Sequence, residues 1–378
     1  MRDRLEVQCR ALGVGNERSV VNEVSIEKIP PLEDLSKQIF IDRSMLKILD
    51  RRALPSKVRY VACRSLEDVA KAIKGMVIQG ASAIAYAAAY GLALEAKRVY
   101  QKKADQTIPY LTSCAQSLKM TRPTGDKLSR LLEKEIRTAK QTYERAEDLF
   151  EALVQFVEHE MERGRETAER CGRNAAALLM DEDKVLTHCY PGPAFVYALR
   201  EALRQQKDLN IIATETRPYL QGAKLTTLAA RQVGVRVTLI TDGMPAYCMQ
   251  QGIVDKVLVA ADRIAMDGSI ANKVGTRLYA IAAKYHGLPF YVLGYGGPDY
   301  LTHRGSDIPI EVRDGKEVIV FENRRMVVDG VEGFYPSFDI TPPELIDAIV
   351  TDVGVVYPPF NEEFRRIARA AGIDVHPT

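Results

Sequence analysis

The chain has 378 residues, of which 46% are hydrophobic and 27% charged, and a formal net charge of +2. That length exceeds one small core and predicts about two domains of ordinary globular composition. A charge this close to neutral gives no reason to expect nucleic acid or an anionic membrane as a partner.

The six cysteines, Cys9, Cys63, Cys114, Cys171, Cys189 and Cys248, are scattered. They form no CxxC pair and no Cys/His spacing that suits zinc. The first residues lack the apolar core of a signal peptide. The longest apolar stretch, 81–94, is shorter than the roughly 20 residues of a membrane span. The expectation is a cytoplasmic protein with reduced thiols and no bound metal.

Residues 1–37 have no clear period, are broken at Pro30-Pro31, and read as an N-terminal extension. Residues 48–55 and 58–62 read as short strands around a turn at Pro55. A helix starts at Leu66, with Ser65 as its N-cap and Glu67 and Asp68 in its first turn. Residues 81–94 are apolar nearly all round and predict a buried helix. Over 127–161, Leu132, Ile136, Ala139, Tyr143, Ala146, Phe150, Leu153, Val157 and Met161 keep i, i+3/i+4 spacing, which predicts one long amphipathic helix. Gly164 is expected to break it before another helix over 166–180.

From Lys184 onwards short β-branched runs alternate with helical patterns. Strands fit 185–187, 209–213, 235–241, 256–260 and 290–293; helices fit 222–233 and 272–286. Such alternation predicts parallel βαβ units with right-handed crossovers. The fold class is α/β: a small, mainly helical N-terminal domain with a few short strands (38–165), then a Rossmann-like parallel-sheet domain (166–378).

Four of the strands run into loops rich in reactive side chains: Thr187-His188-Cys189, Glu215-Thr216-Arg217, Asp242, and Asp262-Arg263. Loops at the carboxyl ends of parallel strands share one edge and line one crevice, so these groups are expected to converge. Cys189 fits an acid, base or nucleophile, against the reading of a small buried hydrophobe. Asp262, at the end of an apolar run, fits a carboxyl raised by desolvation, against an N-cap or a partner of Arg263. At Asp242 the Asp-Gly turn favours the structural role. His188 neighbours Cys189 along a strand and points to the opposite face, so a Cys–His pair is not expected.

No phosphate-loop signature is present. Gly80 and Ala81 do open a helix, where free N–H groups and the dipole favour an anion. Arg122 and Lys273 are further cations, and the set suits a small phosphorylated substrate.

At this point Leu186-Thr-His-Cys189, Glu215-Thr-Arg-Pro-Tyr-Leu-Gln-Gly-Ala-Lys-Leu225, Ala261-Asp-Arg-Ile264 and Ala271-Asn-Lys-Val-Gly-Thr276 identify a resemblance. They resemble the methylthioribose-1-phosphate isomerases. That superfamily also holds ribose-1,5-bisphosphate isomerases and regulatory subunits of a translation-initiation guanine-exchange factor. The resemblance runs from about Met45 to Val355. It takes in Ile48-Leu-Asp-Arg-Arg-Ala-Leu-Pro55, Arg122-Pro-Thr124, Ile308-Pro-Ile-Glu-Val-Arg313 and Phe338-Asp-Ile-Thr-Pro-Pro343.

The resemblance implies aldose–ketose isomerisation of a sugar 1-phosphate without metal or organic cofactor. Acid/base roles fall to Cys189 and Asp262. Phosphate and hydroxyl contacts fall to Gln221, Asn272 and Lys273, beside Gly80, Ala81 and Arg122. It also implies a homodimer, as does the base rate for symmetric oligomers. The open alternatives are another sugar, such as 5-deoxyribose 1-phosphate or ribose 1,5-bisphosphate, and a non-catalytic regulatory subunit.

The chain departs from the family where Gln79-Gly80-Ala81-Ser82 replaces the usual Arg-Gly-Ala-Pro. Tyr190-Pro191-Gly192 replaces Asn-Thr-Gly or Asn-Ala-Gly, Thr214 replaces Asp, and Ala260 replaces Gly. The segment Gly294-Tyr295-Gly296-Gly297 also diverges. Gln79 removes a guanidinium that would fork onto a phosphate.

Overall fold

The computed structural model describes residues 25–100, 106–123, 126–145 and 148–373. Most of the expected extension, with Cys9, and also Thr124, Ala146 and His376, lie outside the described residues.

Strands β1 (Ile39–Asp42), β2 (Met45–Leu49) and β3 (Tyr60–Cys63) form an antiparallel meander. Ile39 stands opposite Ile48, and Leu46 opposite Cys63. The period-2 alternation turns Leu46 and Ile48 into the core. The expected strands at 48–55 and 58–62 are therefore displaced, and β1 was not foreseen. The displacement has a physical cause at Asp50. Its buried carboxylate accepts from Arg52 Nε at 2.8 Å and also pairs with Arg59, which pins the turn that ends β2.

Helix α1 (Leu66–Lys74) starts as expected. The Ser65 hydroxyl accepts from the Asp68 N–H at 3.1 Å, and the Asp68 carboxylate accepts from the Ser65 N–H at 3.2 Å. Helix α2 (Ala81–Tyr100) is buried along nearly its whole length, as its apolar surface requires. Around it pack α3 (Thr107–Lys119), α4 (Asp126–Glu144) and α5 (Leu149–Ala176).

The single helix expected over 127–161 is thus two. Asp148 ends the ambiguity, because its carboxylate accepts from the Glu151 N–H at 3.1 Å and caps a new helix. Gly164, expected as a breaker, lies inside α5. It marks a crossing: a Cβ there would stand 2.1 Å from the Tyr86 hydroxyl of α2, which donates to the Glu160 carbonyl at 3.0 Å. The position 165/166 also lies within α5. Its first half packs into the helical core, and its second half, with Ala168, Cys171 and Ala175, packs into the sheet core.

The large sheet has seven strands in the order β13-β12-β10-β7-β4-β5-β6. They are β4 (Lys184–Thr187), β5 (Asn210–Thr214), β6 (Arg236–Ile240), β7 (Lys256–Ala260), β10 (Phe290–Leu293), β12 (Ala348–Thr351) and β13 (Gly354–Val356). All pairs are parallel except β12–β13. Helices α6 (Pro193–Arg204), α7 (Thr227–Val233), α8 (Pro245–Gln250), α9 (Thr276–His286) and α11 (Phe360–Ala370) complete the layers, with a short α10 (Lys316–Ile319) between. The chain runs from β4 outward to β5 and β6, then crosses back to β7 on the other side of β4. Strand order therefore reverses between β4 and β7.

The helix expected over 272–286 begins only at Thr276. Asn272 and Lys273 belong instead to β9 (Ile270–Lys273), which pairs with β8 (Arg263–Ile264) and β11 (Phe338–Thr341). Asp339 sets the boundary, since its carboxylate accepts from the N–H groups of Gly275 and Arg277. Residues 25–37 dock on the second domain, with Ile29 and Leu32 buried against Val196, Leu225 and Leu228.

Gly164→Ala is expected to lower stability by about 1–3 kcal/mol through overpacking. The same change made together with Tyr86→Phe should cost less, because the crowded hydroxyl is gone. Chemical denaturation of the double-mutant cycle measures this, and equal losses in both backgrounds would refute the crossing argument.

Candidate active site

The reversal of strand order leaves the loops after β4 and β7 facing one crevice. Cys189 comes from the first loop and Asp262 from the second, and both line a single cavity. Gly80, Ala81, Arg122, Gln221, Asn272 and Lys273 line the same cavity. Residues more than 180 positions apart in the chain thus meet at the seam of the two domains.

The backbone of Cys189 is in the left-handed region, with φ of 61°. A non-glycine residue there costs on the order of 1–3 kcal/mol and is held only when its surroundings over-determine it. Here the Cys189 N–H donates to Thr216 Oγ1 at 3.0 Å, and its carbonyl accepts from the Thr226 hydroxyl. The thiol is partly exposed to the cavity. Burial pushes it up to about 11, against the pull of the Lys273 ammonium and with the push of Asp262. Near neutral pH it is a protonated thiol.

Asp262 donates its N–H to the Ala271 carbonyl at 2.9 Å, which fixes the loop. Burial raises its carboxyl above the usual range, while Lys273 and Arg122 pull it down. Burial likewise lowers Lys273, opposed by Cys189 and Asp262. The Lys273 ammonium donates to Tyr335 Oη at 3.1 Å and lies 5.1 Å from the centre of the Phe338 ring. Arg122 pairs with Glu311 at 3.5 Å. Asn272 Nδ2 donates to Thr276 Oγ1 at 3.0 Å. Gln221 is buried and its Oε1 has no partner; the same is true of Gln79 Oε1. Two unsatisfied amide oxygens in one cavity are acceptors waiting for hydroxyl donors.

His188 turns the other way, as expected. Its Nδ1 meets Thr214 Oγ1 at 2.6 Å and its Nε2 meets the Val274 carbonyl at 2.9 Å. Burial depresses it to about 4, so it is neutral and locks β4 to its neighbours.

The expected convergence of all four loops is corrected. Asp242 accepts from the N–H groups of Thr216 and Arg217 at 2.8 and 2.7 Å and braces one loop against the next. Arg217 donates to the Val318 carbonyl and lies 4.3 Å from the Phe321 ring centre. Arg263 leans toward Asp299 in a neighbouring cleft, which Glu215 does not line either. Their backbones start at the same edge, but Asp242, Arg217 and Arg263 each find a partner outside the crevice.

Sequence reasoning missed Arg51 and Phe338 as lining residues, and met Ser82 and Tyr295, which also line the cavity, only at the helix start and as departures near the pocket. Ser82 Oγ and Tyr295 Oη are 2.7 Å apart, and Lys127 Nζ donates to Ser82 Oγ at 2.8 Å. The signal was present in part: Ser82, Tyr190 and Tyr295 are all positions where the chain leaves the family pattern. Among the described residues, no group of three or more His, Cys, Asp or Glu is placed to hold a metal, and no helix is long and apolar enough to cross a membrane.

Residues 77–358 match the initiation factor 2 subunit family. A methylthioribose-1-phosphate isomerase from Thermosipho africanus is 38% identical over 330 residues, covering 85% of this chain and 95% of that one. The chain belongs to the family that joins these isomerases and the initiation factor 2 subunits. Among solved structures, a 5-methylthioribose 1-phosphate isomerase from Pyrococcus horikoshii superposes with a TM-score of 0.76 at 32% identity, covering 92% of this chain and 100% of that one. A translation initiation factor eIF-2B delta subunit from A. fulgidus gives 0.70 at 34% identity, covering 88% and 99%. Both branches of the family share this fold, so the fold alone does not separate them.

A thiol raised to about 11 reacts slowly at pH 7.5, because the thiolate is the nucleophile. Iodoacetamide should label Cys189 progressively faster as the pH climbs toward 11. Lys273→Met should push the midpoint higher still. Peptide mapping reads both, and full labelling of Cys189 within minutes at pH 7 would contradict the assigned environment.

Proposed function

We propose that this protein is an aldose–ketose isomerase acting on a pentose 1-phosphate, in the first place 5-methylthioribose 1-phosphate. One observation carries the reading: Cys189 and Asp262 line a single cavity together with buried cations and unpaired amide oxygens. A phosphate dianion and sugar hydroxyls satisfy both of those deficits.

The reaction breaks the bond between C1 and the ring oxygen O4 and leaves the phosphate ester intact. O4 leaves C1 with the bonding pair and gains a proton, the hydrogen on C2 passes to C1 with its electron pair, and the 2-hydroxyl loses its proton as C2 becomes the carbonyl. The protons balance, so one acid–base group suffices for both oxygens. Asp262, raised by burial, holds the proton that O4 takes and then, as carboxylate, accepts the one from the 2-hydroxyl. Cys189 lies at C1 and C2. As an uncharged thiol it adds no competing anion beside the ester. The cavity wall keeps water from the open-chain intermediate. Gly80, Ala81, Arg122 and Lys273 hold the phosphate; Gln221 and Asn272 hold hydroxyls.

A related sugar as substrate is the second reading, favoured by a specific observation. Gln79, Ser82, Tyr190 and Tyr295, all departures from the family pattern, line this same cavity. A purely regulatory subunit fits less well, because such a subunit has no need of a strained cysteine and a desolvated aspartate in one pocket.

Phosphorus and proton NMR of the purified protein with methylthioribose 1-phosphate and other pentose 1-phosphates tests the proposal. Conversion to a ketose 1-phosphate is expected; Asp262→Asn should lower kcat by about 10²–10⁴ with the fold intact, and Cys189→Ser, which keeps an uncharged group at C1 and C2, should lower it less. If the wild type converts none of these sugars, the isomerase reading fails.

A homodimer belongs to the same reading. Leu278, Ile281 and Tyr285 share one face of α9 and are 59%, 49% and 85% exposed, next to Tyr247 on α8 at 61%. Light scattering should give twice the chain mass, and Leu278→Asp with Tyr285→Ser should give monomers. A monomeric wild type would exclude this interface.

A further inference from the structure

The guanidinium absent from position 79 has a counterpart in space. Arg51 lies just past β2, and only 2% of it is exposed. Its Nε and Nη2 donate to Gln38 Oε1 at 3.2 and 2.8 Å, and its Nη1 donates to the Gln79 carbonyl at 2.5 Å. Those bonds use three of the five N–H groups of a guanidinium and leave one on each terminal nitrogen. No carboxylate pairs with Arg51 among the described residues, and its guanidinium carbon lies 5.6 Å from the centre of the Tyr190 ring. A cation buried without a counter-charge is costly unless an anion completes it.

Where that anion would sit follows from the cavity. Arg51 lines it together with Gly80, Ala81 and Arg122. Gly80 has φ of +88°, and a Cβ built there would stand 3.6 Å from Arg51 Nη1. The bare α-carbon of Gly80 therefore leaves open the space beside the guanidinium, at the start of the twenty-residue helix α2. The first-turn N–H groups of a helix have no partner within it. Arg51 and the start of α2 thus both carry donors on the wall of one cavity.

We propose that Arg51 supplies the guanidinium of the phosphate subsite, doing from the turn after β2 what an arginine at position 79 does in the usual Arg-Gly-Ala-Pro pattern. The phosphate ester is held between the free N–H groups of Arg51, the first turn of α2, and Arg122. Gln38 and the Gln79 carbonyl orient the fork, and the Gln79 side chain, relieved of the phosphate, is left as an acceptor. This assignment rests on the sugar-phosphate reading, but its test does not depend on turnover.

Inorganic phosphate binding by calorimetry, and kcat and KM for methylthioribose 1-phosphate, are measured for the wild type, Arg51→Gln, Arg51→Lys and the exchanged pair Arg51→Gln with Gln79→Arg. Arg51→Gln is expected to weaken phosphate and raise KM by roughly 10- to 100-fold, the loss of a charge-assisted fork, with kcat changed less. The exchanged pair is expected to regain part of that loss; no regain would overturn the claim that the two positions serve one phosphate. Should Arg51→Gln fail to fold, Arg51→Lys decides, since a point charge cannot fork: an intermediate affinity supports the proposal and wild-type affinity overturns it. A folded Arg51→Gln that binds phosphate as the wild type does, or a wild type that does not bind phosphate, also overturns it. A wild type that binds phosphate through Arg51 but isomerises no pentose 1-phosphate refutes the isomerase reading and leaves the Arg51 assignment standing.

Discussion

Everything about this site depends on the point where the order of strands in the large sheet reverses. A right-handed crossover covers one face of a parallel sheet. When the next crossover sets off in the other direction, the two loops at the reversal separate and leave a crevice. Here that point lies between β4 and β7. Cys189 and Asp262 face a common space because the chain reverses there. The helical domain closes that space from above with the start of α2, so the cavity has a sheet edge for its floor and a helix terminus for its lid.

Enclosure then sets the electrostatics. Burial is the largest influence on Cys189, Asp262 and Lys273, and in all three it favours the neutral form: Cys189 and Asp262 are pushed up, Lys273 is pushed down. The attraction of Lys273 for each of the two acids opposes this without cancelling it, while Asp262 adds to the rise at Cys189. Such a site gains from a ligand that brings its own negative charge, since a dianion restores the charged state of the cations that meet it. The same ligand raises the cost of a second anion, which suits a thiol that remains protonated. The affinity for phosphate and the protonation of the acid–base groups are therefore one coupled property of the pocket.

The parts of this arrangement that depend on local order were legible in the sequence. Ser65 announces α1 by its capping box, the apolar run at 81–94 announces a buried α2, and the loops after β4 and β7 show their chemistry at the ends of β-branched strands. The parts that depend on distant partners were not. Asn272 and Lys273 carry helical neighbours on one side, yet their strand is made by pairing with Phe338 and Asp339, more than sixty residues on. Gly164 reads as a breaker until Tyr86 is placed against it. Arg217 and Arg263 look equal to Cys189 and Asp262 in the chain. They differ only in whether another partner, such as the Val318 carbonyl, the Phe321 ring or Asp299, lies outside the crevice.

Arg51 shows the same limit from the other side. In the sequence it is one of two adjacent arginines inside the expected strand 48–55 and is given no role; Arg52 stands at the surface and pairs with Asp50. What draws Arg51 inward is Gln38, whose amide nitrogen is itself held by the carbonyls of Pro31, Leu32 and Asp34 at 3.0–3.1 Å. Leu32 is buried against the sheet domain, and its carbonyl also accepts from the Tyr190 hydroxyl at 3.1 Å, one residue past Cys189. A chain of hydrogen bonds therefore runs from residues 31–34 through Gln38 to Arg51, and from Leu32 to the loop that carries the strained cysteine. The segment ahead of β1 is thereby part of the architecture of the pocket: it holds the guanidinium at one wall and the Cys189 loop at another, and fixes the distance between them.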